Sequence, residues 1–192
     1  PDYMKKASDV ASKHGLSSHL DGARLMNAAI ANCCSPKDLT RGFTTVSLCL
    51  SKGLGAPVGS VLTGSSNFIK EARRARKMLG GGMRQAGILA ACGLVAVKTQ
   101  VDRLEEDHRL ASRLATELSQ IPDIQTESEG ANTNMVFIKV LDQHRDPLKA
   151  FLKNKGILIG GRPPTFRLVI HRDINEKDIP TTVAAFAEYF RQ

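Results

Sequence analysis

The sequence predicts an α/β protein, a mostly parallel sheet flanked by helices and followed by a small α+β domain. Three observations carry this. In the first hundred residues, short β-favouring runs end in turns rich in Asp, Gly and Lys and alternate with amphipathic helical stretches. Two long helical patterns, 83–97 and 101–118, follow one another in the middle of the chain. From Ile121 the texture changes to short strands and helices joined by short loops. We therefore divide the chain at 1–100 and 101–192.

The elements follow in order. Residues 2–14 carry Tyr3, Ala7, Val10, Ala11 and His14 on one side of a helix, with Gly15 as a stop. Residues 18–25 form a short strand that runs into Asp21, Gly22 and Arg24. Open α/β sheets bind ligands at such C-terminal strand ends. Leu25–Ala31 is a short helix or turn, and Ser35-Pro36-Lys37-Asp38 reads as a helix start with Pro at its first position. Val46–Leu50 is a strand, Gly59–Thr63 a returning one, and the pair suggests a crossing in a mostly parallel sheet. Asn67–Leu79 places Phe68, Ala72, Ala75 and Leu79 on one helical stripe and its cations opposite. Gly80-Gly81-Gly82 ends it, either as a flexible hinge or as a place where backbone approaches a ligand or subunit closely.

Met83–Val97 is apolar and rich in small residues, and is too short to span a bilayer, so it is expected to be a buried core helix. In 101–118 the apolar residues recur at three and four, and His108 on that stripe is expected to be packed rather than catalytic. Beyond it, 124–128 is a weak strand and 135–140 a strong one. Residues 147–155 form a helix, 157–159 and 166–171 strands, and 179–190 a last helix with its start near Asn175.

Composition excludes several classes. Hydrophobic residues at 42% and charged residues at 24% describe an ordinary globular chain with a core. Aromatics at 5%, without Trp, argue against stacking on single-stranded nucleic acid. The net charge of +8 is local. Lys70, Arg73, Arg74, Arg76, Lys77 and Arg84 face Glu71 alone, which describes one site or solvated face rather than a nucleic-acid coat. Cys33, Cys34, Cys49 and Cys92 lie in no metal-ligand spacing, so reduced thiols and a cytoplasmic location are expected. No membrane span or signal peptide is expected. The chain opens at Pro1 directly in a helical pattern, as a piece of a longer protein would.

The stretch Thr45–Ser60 delivers Lys52 from an apolar strand into a turn containing Gly53, Gly55, Pro57 and Gly59. A desolvated Lys there can act as a nucleophile toward an aldehyde, and missing side chains admit a flat ring. A surface Lys on an ordinary strand turn accounts for the same local pattern. Asp21, Arg24, Arg84 and Arg167, also in strand-end or turn positions, widen the argument. Together with Lys52 they fit pyridoxal 5′-phosphate (PLP), which needs a Lys for its aldehyde, a carboxylate at its ring nitrogen and cations for its phosphate. An amino-acid substrate needs a further Arg for its carboxylate.

Three motifs then resemble the threonine aldolase family of fold-type I PLP enzymes: His19-Leu20-Asp21-Gly22-Ala23-Arg24-Leu25 with Asn27-Ala28-Ala29, Ser47–Ser60, and Arg76–Gly87. The resemblance continues through Arg103–His108 and Phe166–His171 and covers about the second half of the family's length. It implies the C-terminal part of the fold-type I large domain with the small C-terminal domain. It implies Lys52 as the Schiff-base lysine, Asp21 at the pyridine nitrogen, and Arg24 near the cofactor and the substrate carboxylate. Arg167 then binds that carboxylate, Arg84 and Lys77 approach the phosphate or substrate, and His19 is structural. The implied activity is cleavage of L-threonine or L-allo-threonine to glycine and acetaldehyde, within threonine breakdown and glycine supply, by a homotetramer or homodimer. The sequence departs from the family pattern at Ile170 and Arg172, and nothing before Asp21 supplies a phosphate loop. The alternatives are another PLP β-eliminating lyase or a non-catalytic interaction module, with nucleic-acid binding through 67–79 the weakest.

Overall fold

The computed structural model describes residues 1–127, 133–162 and 164–191. The chain divides into two compact units, Pro1–Leu104 and Glu105–Gln192.

The first unit contains α1 (Asp2–Lys13), β1 (His19–Gly22), α2 (Leu25–Ala31), α3 (Pro36–Thr40), β2 (Thr45–Cys49), β3 (Ser60–Thr63), α4 (Ser66–Met78) and α5 (Gly87–Thr99). Its sheet has the order β1-β2-β3. β1 and β2 are parallel, with Asp21 opposite Ser47 and Gly22 opposite Leu48. β3 returns antiparallel to β2, so the expected crossing is a hairpin instead. The connection 50–59 is too short to hold the helix that a parallel return requires.

Local signals set several boundaries. Ser35 caps α3 in a reciprocal capping box with Asp38, and Pro36 stands in the first turn as expected. The Ser65 hydroxyl accepts from the Phe68 amide and starts α4. Two small clusters form the core. One is built on Leu25, Ala29, Leu39 and Val46. The other joins Leu50, Leu54, Ala56, Ala96 and Leu104.

The helix expected to be buried at 83–97 begins at Gly87, and only Gly93 and Ala96 within it are buried. Ile88 is 80%, Leu94 55% and Val95 58% exposed. An all-apolar helix needs neighbours on every side, and Leu50, Leu54 and Ala56 of the turn after β2, with Leu104, cover only one line of it. The same holds for α4, which buries no residue: Phe68 and Leu79 are exposed, and Ile69 and Ala72 are only half-buried.

α6 (Leu104–Leu118) leads into the second unit, followed by β4 (Gln125–Thr126), β5 (Met135–Lys139), a 3-10 turn at Asp142–His144, α7 (Arg145–Asn154), β6 (Gly160–Arg162), β7 (Thr165–Val169) and α8 (Asp178–Phe190). The sheet order is β4-β5-β7-β6, and every pair is antiparallel. Alternation does the sorting. Val136, Ile138, Phe166 and Leu168 face Leu110, Leu114, Leu118, Leu148, Leu152, Ile179 and Phe186 from the three helices. Phe137, Lys139, Thr165 and Arg167 take the other face.

The strand expected at 157–159 is displaced to Gly160–Arg162, where Gly160, Gly161 and Arg162 oppose Arg167, Phe166 and Thr165. Of the strand expected at 124–128, β4 retains two residues, and Ser128 lies outside the described residues. Arg113 ties α6 to the segment before α8, bonding both Glu117 and Glu176 at 2.6 and 2.5 Å.

Candidate functional site

Three of the site candidates in the first unit, Asp21, Arg24 and Lys52, stand at or just after the C-terminal ends of β1 and β2. Because these strands are parallel neighbours, the residues leaving their C-terminal ends emerge together. Asp21 stands next to last in β1 as an exposed carboxylate, with Oδ1 accepting from the Ala23 amide at 3.0 Å. That bond fixes the carboxylate against the turn that starts α2. Gly22 is buried beside it, and a Cβ there would stand 2.3 Å from the Ser47 carbonyl oxygen. No side chain fits, so the chain turns beneath Asp21 only with glycine.

Arg24 immediately precedes α2, with φ −132° and ψ 38°. Its Nε is buried and has no hydrogen-bond partner. A buried guanidinium nitrogen without an acceptor is uncommon and costly. Arg24 is thus the one candidate here with an unmet need for an acceptor.

Lys52 sits in the turn after β2. The Gly55 amide donates to the Lys52 carbonyl at 2.8 Å, and Gly55 has φ +71°. The Ala56 amide donates to Leu50 O, and the Leu50 amide to Gly59 O, each at 2.9 Å. Leu50, Leu54 and Ala56 anchor the turn from inside the cluster, while Lys52 itself is exposed. The desolvation expected at this Lys is therefore not provided by the chain's own residues. The turn fixes the backbone that presents the amine, and leaves its surroundings open.

Two neighbours went unassigned in the sequence. Asn27 is buried, and its side-chain oxygen lies 3.3 Å from where a Cβ on Gly53 would stand. It therefore connects the helix after Asp21 to the turn after Lys52. Its place among Met26, Ala28 and Ala29, three residues after Arg24, was the available signal. The Cys49 thiol is held below the usual range. Burial acts to raise it but is outweighed by hydrogen bonds from the Ser51 side chain and backbone, the Lys52 charge and Ser60.

Lys77 and Arg84 are exposed, Lys77 on α4 and Arg84 between α4 and α5. The Lys77 side chain lies over Gly82, where a Cβ would come 3.0 Å from Nζ. Gly80, at φ +85°, folds the triple-glycine segment back so that the Gly81 amide reaches Arg76 O. Neither cation hydrogen-bonds or ion-pairs with Asp21, Arg24 or Lys52. His19 bonds the Thr45 hydroxyl at 2.8 Å across the parallel pair, a structural contact.

Arg167 belongs to the second unit. It opposes Phe137 on β5 and Gly160 on β6, and with Phe137, Gly161 and Thr165 it lines an open groove of about 540 Å³. Beside it, Glu127 binds both Lys139, at 3.2 Å, and the Thr165 hydroxyl, at 3.0 Å. Among the described residues Arg167 has no ion-pair partner. His108 is half-buried as expected, and burial holds its imidazole below the usual range against the raising charges of Asp107 and Glu105. No described group of His, Cys, Asp and Glu is placed to hold a metal ion. No helix among the described residues is long and apolar enough to cross a membrane.

These features define an α/β chain with candidate polar residues at parallel strand ends, and its fold is shared with solved PLP fold-type I enzymes. A crystal structure from Exiguobacterium sp. 255-15, provisionally named an aromatic amino acid beta-eliminating lyase/threonine aldolase, superposes with a TM-score of 0.83 at 19% identity. It covers 97% of this chain and 56% of that one. A serine palmitoyltransferase variant from S. paucimobilis, solved with a bound PLP–myriocin aldimine, superposes at 0.73 and 19% identity, over 98% and 50%. The family model of the beta-eliminating lyases matches residues 1–141, and the chain belongs to that family. It is 42% identical to low-specificity L-threonine aldolase 1 of Arabidopsis thaliana over 97% of this chain and 53% of that protein. It is 41% identical to the low specificity L-threonine aldolase of Escherichia coli (strain K12), over 95% and 54%. The chain spans about half the length of the curated relatives it matches.

Proposed function

We propose that this chain is the lysine-bearing part of a PLP-dependent aldehyde-lyase that cleaves L-threonine or L-allo-threonine to glycine and acetaldehyde. One observation carries the reading: Asp21 and Lys52 follow adjacent parallel strands toward the same end, and Arg24, three residues after Asp21, buries a nitrogen without an acceptor.

The residues fit the cofactor. The unpartnered Arg24 Nε calls for an acceptor such as a phenolic or carboxylate oxygen. When bound, PLP supplies an electron sink for the carbanion left as Cα–Cβ breaks. Asp21, with one oxygen held by the Ala23 amide, offers the other to a protonated ring nitrogen. Lys52 Nζ, presented by the anchored turn, is the amine that attaches the aldehyde and afterwards carries a proton to Cα. Arg24 and Arg167 receive the substrate carboxylate, Arg167 by its planar fork. Arg84 and Lys77 supply cations toward the phosphate or substrate. In this reading residues 1–100 hold the cofactor and 101–192 the small domain. The whole protein assembles as a homotetramer or homodimer with shared sites. A reducing, cytoplasmic setting is part of this reading.

A second reading is an interaction module without catalysis, favoured by the exposed apolar faces of α4 and α5. Mixing the chain with PLP and recording visible absorbance, with Lys52→Ala as control, separates the two. A Lys52-dependent band followed by glycine and acetaldehyde production supports the lyase, and absence of the band sinks cofactor binding by this chain. These residues alone are expected to turn over feebly, because they leave Lys52 exposed.

A further inference from the structure

The open face of the second unit's sheet carries an acid, a ring and a guanidinium in one row. β4 pairs with β5 through Gln125 opposite Lys139 and Thr126 opposite Ile138. Just past β4, the Glu127 amide continues the ladder to Phe137 O at 3.1 Å. Phe137, half-buried, stands opposite the exposed Arg167 on β7. Glu127, Phe137 and Arg167 therefore follow one another across three strands. Neighbouring strands lie about 4.8 Å apart, so about 10 Å separates the Glu127 and Arg167 backbones.

The Glu127 carboxylate turns out of its own row. Its Oε1 accepts from Lys139 Nζ at 3.2 Å and from the Thr165 hydroxyl at 3.0 Å. Lys139 and Thr165 form the next row, opposite each other on β5 and β7. The carboxylate has thus crossed β5 and touches the strand that carries Arg167, two residues or about 7 Å along it. Thr165 lines the groove that holds Arg167, and Glu127 with Lys139 lines a neighbouring groove of about 310 Å³. The Thr165–Glu127 bond joins the two linings.

Hydrogen-bond geometry favours a different partner for Glu127. A guanidinium offers a carboxylate two parallel bonds in a fixed fork, and an ammonium does not. As a stabilising pair, Lys139–Glu127 counts for little, because the side chains are 42% and 37% exposed. Its effect is to keep a negative charge off Arg167.

We propose that Lys139 is a positioning residue for anion binding at Arg167. With Thr165 it holds the Glu127 carboxylate, which in the absence of Lys139 closes on the Arg167 guanidinium and takes the place of an incoming carboxylate. The inference rests on the proposed role of Arg167 as receiver of the substrate carboxylate, and adds what keeps that receiver open.

The test starts on the 192-residue chain and reads the Arg167 Nε–H by NMR, as exchange rate and proton shift. In the parent chain this proton is expected to exchange as in an unpaired guanidinium. In Lys139→Met it is expected to shift and to exchange about tenfold more slowly, as a charged hydrogen bond forms. Lys139→Met/Glu127→Gln is expected to restore the parent rate, and Lys139→Arg to keep it. A proton unmoved by Lys139→Met overturns the proposal, as does a slowing that survives Glu127→Gln.

The second readout is threonine turnover by a catalytically competent full-length protein. Lys139→Met is expected to raise KM about tenfold while kcat stays within about twofold, and the double variant to restore KM. Glu127→Gln alone is expected to move KM by less than about twofold, since that charge is already held away. A mere change of local charge acts symmetrically, so a Glu127→Gln gain equal to the Lys139→Met loss overturns the proposal. Arg167→Ala separates the two levels. If it raises KM and Lys139→Met does not, the positioning role alone is overturned. If neither raises KM, Arg167 leaves the substrate site and the proposal falls with it.

Discussion

Asn27 lies directly under Gly53. A methyl group at Gly53 would come 3.3 Å from the Asn27 side-chain oxygen and 2.9 Å from Leu104 Cδ2. Both neighbours are buried, so neither swings aside freely. The residue after Lys52 is thus fitted against the helix that follows Asp21. Gly53→Ala is expected to destabilise the chain by about 1–3 kcal/mol through overpacking. Urea unfolding measures this, and a midpoint equal to that of the parent chain would show that the turn has room to spare.

A harsher outcome is expected at Gly22. Its missing Cβ would meet backbone, the Ser47 carbonyl oxygen at 2.3 Å, rather than a movable side chain. Gly22→Ala must push β1 from β2 at the point where Asp21 is positioned. The expected loss exceeds about 3 kcal/mol, beyond the usual range for one added methyl group. Circular dichroism during thermal unfolding reads it, and a change under about 1 kcal/mol would refute the tight fit.

The parts of the fold that local chemistry dictates were legible in the sequence. Leu25–Ala31 forms a helix over those residues, and Pro36 stands in a first turn whose Ser35 and Asp38 close a capping box. The alternation in 135–140 sends Val136 and Ile138 inward. What depends on partners was less legible. β6 consists of Gly160, Gly161 and Arg162, with little β preference of its own, and exists because β7 lies beside it. The apolar run 157–159 looks more like a strand, yet Leu158 is 80% exposed. At the site, residue types marked out Asp21, Arg24 and Lys52, and the parallel pairing adds their common strand end. Asn27, noted only as part of a motif, was given no role because a buried amide under a glycine turn leaves no periodic signature.

His108 sets a pH dependence. Burial holds its folded-state imidazole below the ordinary value of 6.5, opposed by Asp107 and Glu105. A lowered value means that the folded chain binds the proton less readily than the unfolded chain does. The stability tied to neutral His108 is present above about pH 6.5 and is lost progressively as pH falls toward the folded-state value. Tm is expected to decline between pH 7.5 and 5.5, a window above the carboxylates, on the ordinary scale of those groups. His108→Gln is expected to flatten that decline, and an unchanged slope would assign it elsewhere.

Arg167 faces a different demand from that on Lys52. On the open sheet face, Lys139 is occupied by Glu127, which also holds the Thr165 hydroxyl. Among the described residues Arg167 is thereby a cation without an ion-pair partner for an incoming anion, with Phe137 opposite it. A planar guanidinium grips a carboxylate through two parallel hydrogen bonds, and an ammonium keeps the charge but not the fork. On the proposed function, in a catalytically competent full-length protein, Arg167→Lys is expected to raise KM for threonine by about tenfold, and Arg167→Ala by about 100-fold, in line with losing part or all of a charged hydrogen-bond pair. PLP affinity read from absorbance is expected to stay unchanged in both. Equal losses of KM and PLP affinity would place Arg167 on the cofactor, and no loss of either would remove it from the site.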